Sequence, residues 1–197
     1  MRRARTCRWW RAVLAAGLWL TLAAPLEAAS FTLMPHEREE AIRAGRRSVA
    51  TEDWDREWRV DGGEGQRLSV LTPFHRLAAA ARNSAFRKKE LTPRQVQSLL
   101  KDQQNKLVLW TTLRGARPDF ARFYSPTLLA GAGETKKASF TQNERTARRE
   151  EDGRYTARCL YVFPSEGLDP RSTVTLVVRD VEEKLVAKFT VDLAAMR

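Results

Sequence analysis

The chain has 197 residues, 43% of them hydrophobic and 30% charged. That balance belongs to a folded protein of one or two domains and excludes a disordered or fibrous chain. Its 35 basic and 24 acidic residues give a formal charge of +11, so an anionic partner has to be considered.

Part of that charge lies in a segment with the grammar of a secretory signal. Arg2, Arg3, Arg5, Arg8 and Arg11 form a basic start, Ala12–Ala24 is an uncharged and mostly apolar run of 13 residues, and Leu26-Glu27-Ala28 offers a small residue for cleavage. The run is too short for a membrane span, which needs ~20 apolar residues. Residues 1–28 are therefore expected to be removed on export. The chain from residue 29 would keep a net charge of +7. In the periplasm or outside the cell the partners expected of such a surface are an acidic protein, anionic lipid head groups or an anionic envelope polymer, and nucleic acid is not expected. Cys7 would leave with the signal and Cys159 would remain as a single thiol, so no intramolecular disulfide is expected.

Residues 29–65 read as an N-terminal helical arm. A first helix is predicted from Ser30 to about Ala50, with Pro35 at an early helical position, Glu37, Glu39 and Glu40 near its N-terminus and Arg43, Arg46 and Arg47 near its C-terminus. Ile42 and Val49 give it only a narrow apolar seam, so it is expected on the surface. Trp54 and Trp58 are four residues apart and would share one face of a helical turn. They are candidate binding residues, as an aromatic platform for a ligand such as a sugar; the other reading is that both rings cover the edge of the core. Asp61–Gly65 is a flexible turn and an expected break.

Residues 66–105 read as a helical segment. A short strand is predicted over Arg67–Leu71. Thr72-Pro73 and Thr92-Pro93 are helix starts, with threonine as N-cap and proline at the first helical position. The first of these helices should run to about Lys89 with Phe74, Leu77, Ala78, Ala81, Ala85 and Phe86 inward, its alanines allowing close approach to a sheet. The second should run to about Asn105 with Val96, Leu99 and Leu100 inward.

From Lys106 the apolar period changes from helical spacing to two, and residues 106–197 read as an antiparallel β-domain. Leu107, Leu109 and Leu113 form one inward set. Lys136–Gln142 is a further expected strand. Tyr155, Ala157, Cys159, Tyr161 and Phe163 form another set, Val174, Leu176 and Val178 a third, and Leu185, Ala187, Phe189, Val191 and Leu193 a fourth. The last three are expected as strands of one sheet. Four to seven strands are predicted in this half. The pattern resembles an immunoglobulin-like sandwich at the level of strand spacing. The expected fold class is α+β, with N-terminal helices packed on or beside a C-terminal antiparallel β-sandwich-like sheet domain.

No motif for catalysis stands out. His36 and His75 are far apart and neither has ligand-like neighbours, so no metal, cofactor or catalytic residue is assigned. Cys159 is in phase with a buried strand face and is read as a small core residue. The charged block Gln142–Asp152 holds Arg145, Arg148 and Arg149, a candidate anion- or partner-binding loop; alternatively Glu150, Glu151 and Asp152 neutralise these arginines locally. The leading expectation is an exported, non-catalytic binding or structural module of the cell envelope. A secreted hydrolase acting through carboxylates is the alternative.

Overall fold

In the computed structural model, residues 31–131 and 133–197 are described; the expected signal sequence lies outside them. Two antiparallel sheets account for most of the described chain. Three helices precede the larger part of both.

Helix α1 (Pro35–Arg47) leads through a 3₁₀ turn at Ser48–Ala50 and a second at Arg56–Trp58 into strand β1 (Arg59–Asp61). Strand β2 (Arg67–Leu71) then feeds α2 (Pro73–Phe86) and α3 (Pro93–Gln103). Each helix begins with proline at its first position, where no N–H is needed. Thr72 Oγ1 caps α2 by accepting the His75 N–H at 3.1 Å. Thr92 and Gln95 close a reciprocal capping box on α3.

The first sheet has the order β1-β2-β3-β8-β6, with β7 also on β8. Here β3 is Lys106–Gly115, β6 Phe140–Asn143, β7 Arg148–Arg149 and β8 Tyr155–Pro164. The second has the order β10-β9-β4-β5, with β4 Ser125–Ala130, β5 Glu134–Lys137, β9 Thr173–Arg179 and β10 Leu185–Asp192. One apolar core lies between them. Leu109, Leu113, Ala157, Tyr161 and Phe163 of the first sheet and Leu128, Leu176, Val178, Phe189 and Val191 of the second are all buried in it.

The alternation read from the sequence therefore holds strand by strand, but the grouping does not. The three C-terminal strands do not share a sheet: β8 belongs to the first, β9 and β10 to the second, and residues 165–172 cross between them. Lys136–Gln142 is likewise two strands on different sheets, β5 and β6, separated at Ala138-Ser139. Eight strands follow Lys106 among the described residues, one more than the upper expectation, because that segment divides and Arg148–Arg149 pairs with β8. Leu185 falls out of the inward set and is 52% exposed, since the β9–β10 register shifts between Leu185 and Ala187.

The seam of α1 also differs from expectation. Ala41 and Gly45, one turn apart, are its buried residues. A Cβ on Gly45 would sit 2.1 Å from the Ala78 carbonyl oxygen and 2.9 Å from Ala81 Cβ. The small residues of α2 thus admit a helix, α1, and not a sheet. The α2 stripe stops one turn early, with Phe86 exposed beneath the Arg82 guanidinium. Asp61–Gly65 turns between paired strands of the first sheet, which draws β1 from the expected arm and β2 from the expected helical segment.

Candidate binding face

Cross-strand partners point to the same side of a sheet. On the outer side of the first sheet, register aligns Arg59, Ser69, Trp110, Leu160 and Gln142 in one row, across β1, β2, β3, β8 and β6. A neighbouring row holds Asp61, Arg67, Thr112 and Arg158. Trp110 lies mid-strand on β3, held by β2 on one side and β8 on the other, and is 40% exposed. Its strand neighbours Leu109 and Thr111 point inward and are fully buried, so the backbone beneath the indole is fixed.

Three depressions mark this face. The central one, about 370 Å³, is lined by Trp110, Gln142, Glu144, Arg158, Cys159 and Leu160. A second, about 500 Å³, lies over Thr112, Arg114, Arg148, Asp152 and Thr156. A third, about 460 Å³, lies over Asp53, Arg56, Arg59, Asp61 and Arg67. In the outer two, most arginines are tied to carboxylates. Arg59 meets Asp53 at 2.7 Å, Arg67 meets Asp61 at 3.0 Å, Arg148 meets Glu150 at 2.9 Å, and Arg114 meets Asp152. The hydrogen bond from Arg59 holds the Asp53 carboxyl below its ordinary range. Arg148 does the same for Glu150, and the Arg154 N–H and then Arg114 do so for Asp152. A general acid needs the opposite shift.

The central depression is different. Glu144 accepts the Arg158 backbone N–H at 2.7 Å, but the Arg158 guanidinium and the Gln142 amide make no hydrogen bond or ion pair with other described residues. The outer side of the second sheet provides a contrast. Its rows are Lys188, Val177, Thr127 and Lys137, and Thr190, Thr175, Leu129 and Thr135. These two rows carry neither an aromatic ring nor a carboxylate; the next row along brings Asp192 beside Thr173.

The sequence-selected residues fall elsewhere. Trp58 is 2% exposed and donates its Nε1–H to the Arg197 carbonyl at 2.7 Å. Trp54 is half-buried and stacks on His75 with ring centroids 5.2 Å apart and 6° between planes. The two indoles contact each other and His75, so together they form a packed cluster, not an open platform. Arg148 lies on the outer face. Arg149, the next residue on β7, points to the opposite side by strand alternation. Arg145 sits exposed in the bend between β6 and β7. Trp110 was visible in the sequence only as an outward member of the β3 alternation, and nothing local distinguished it from a covered ring.

Three groups with nucleophile or base chemistry, His75, Cys159 and Tyr161, are packed inside, and His36 lies exposed in the first turn of α1. His75 is buried, desolvation pulls its pKa down to about 4, and its Nδ1 has no hydrogen-bond partner. Cys159 is buried and desolvation raises its thiol pKa. Burial likewise raises the Tyr161 hydroxyl. No group of three or more potential metal ligands lies together among the described residues. No described helix is long and apolar enough to cross a membrane.

No family model matches the chain, and no curated protein matches it. Among solved structures it is similar to a novel protein of unknown function from Burkholderia pseudomallei, with a TM-score of 0.42 and 11% identity over 83% of this chain and 92% of that one. It is also similar to domain C3 of the IgNAR antibody, with a TM-score of 0.33 and 16% identity over 68% of this chain and 98% of that one. Both likenesses are loose, and the fold described above stands on strand pairing.

Proposed function

We propose that this protein is an exported, non-catalytic binding module of the cell envelope or periplasm, working through the outer face of the first sheet. Its body is an immunoglobulin-like sandwich with the N-terminal helices packed against it. The observation that carries this reading is the central depression, where an exposed indole on a doubly paired strand lies beside unpaired polar groups. A surface tryptophan so held loses little freedom when a ligand covers it, which favours recognition. Cys159 lies on the floor of that depression, buried and with its thiol pKa raised by desolvation, which supports a binding role over a catalytic one. Export is supported by the basic start and apolar run of the first 28 residues.

The test is a photoreactive side chain placed at Gln142, with Thr175 on the other sheet as control, irradiated in the native compartment. Adducts from position 142 and none from 175 are expected, on a chain whose N-terminus begins near Ala29. Equal labelling, or none, overturns the choice of face; an intact Met1 overturns export.

A further inference from the structure

Resting on the reading of this face as a binding surface, we infer that its ligand is a neutral polysaccharide strand, whose sugar rings stack on Trp110 and whose hydroxyls bond to Gln142, Arg158 and Glu144. The charge pattern selects this class. An anionic polymer needs unpaired cations along its path. Here four of the six arginines lining the three depressions, Arg59, Arg67, Arg114 and Arg148, are already engaged by Asp53, Asp61, Asp152 and Glu150; of the other two, Arg158 has the Glu144 carboxylate in the same depression and Arg56 shares its depression with Asp53 and Asp61. An apolar peptide would have to desolvate these ion pairs, a cost that their mutual attraction does not repay.

A sugar ring asks for what is present. Its C–H face is flat and apolar and matches an exposed indole. Its hydroxyls each donate and accept, so they need donors and acceptors interspersed. The Arg158 guanidinium supplies donors, Gln142 supplies both, and Glu144 supplies acceptors. Neither the guanidinium nor the Gln142 amide spends these groups within the described protein. The row through Trp110 runs across five paired strands, from β1 to β6. At ~4.8 Å per strand spacing this is a track of roughly 19 Å, long enough for several consecutive rings and flanked by the two outer depressions.

Affinity electrophoresis under native conditions tests the assignment, using gels cast with hydroxyethyl cellulose, glycol chitin or dextran sulfate. Retardation by at least one neutral polymer is expected, and it should persist in 0.5 M salt, where the Debye length is only about 4 Å. Trp110→Ala should weaken it by roughly tenfold or more, the equivalent of one aromatic contact. Trp110→Tyr should restore most of it. Gln142→Ala, an exposed change that leaves the fold intact, should weaken it independently, with melting curves run on every variant. No retardation by either neutral polymer overturns the sugar assignment. Retardation by dextran sulfate alone, lost in Trp110→Ala, also overturns it but leaves the face as a binding surface. Retardation unchanged in Trp110→Ala and Gln142→Ala overturns both.

Discussion

Among the described residues, the tryptophans separate support from presentation. Trp54 and Trp58 close around His75, with Trp58 bonded to the Arg197 carbonyl and Phe74 stacked at 6.2 Å. The Arg197 guanidinium lies over Phe74 and reaches Glu57 at 2.8 Å and Glu40 at 3.5 Å, so this cluster gathers α1, α2 and the C-terminal segment. Trp110 ties nothing together. It stands on a strand that is already paired on both sides, with its ring turned to solvent. The same residue type thus contributes to stability in one place and to a surface in the other, and the difference is what its backbone neighbours already secure.

The contrast predicts a graded series. Trp58→Ala removes a buried ring and its hydrogen bond, and should cost about 3–5 kcal/mol in urea unfolding; a cost near zero would erase the distinction between the two groups. Acid should act on the same cluster. His75 titrates near 6.5 when unfolded and at about 4 when folded, so between those values the unfolded chain binds the extra proton. Stability should be full above pH 6.5 and fall by about 3 kcal/mol as pH drops towards 4. His75→Leu should flatten that part of the profile, and an unchanged profile would remove His75 as its cause.

Gly45→Ala comes next. The added methyl meets the Ala78 carbonyl at 2.1 Å, and forcing α1 from α2 should cost about 1–3 kcal/mol by thermal melting. Trp110→Ala should be mildest on stability, changing it by about 1 kcal/mol or less, while carrying the large effect on binding. A loss as large as that of Trp58→Ala would make Trp110 a structural residue and dissolve the comparison.

Much of the fold was legible locally. Proline at 73 and 93 marked two helix starts because its missing N–H is harmless there, whereas α1, expected from Ser30, begins only at Pro35. The inward sets on β3, β8, β9 and β10 were readable because side chains alternate along any strand. The seam of α1 was not legible: alanine and glycine carry little hydrophobic signal, and only a partner helix at close range shows their use. Nor was the candidate binding face. Trp54 and Trp58 stood out through their spacing of four, yet the 3₁₀ turn at Arg56–Trp58 and the ring of His75 close them over.

Residue order along each strand was enough to say which side chains turn inward, because that alternation is a property of a few neighbouring peptides. Assigning strands to sheets, and tryptophans to core or surface, required contacts between residues far apart in the chain. Trp110 meets Ser69 and Leu160 across two ladders, and Trp58 meets Arg197, 139 residues away. Such pairings follow from how the whole core closes, which no short window of sequence contains.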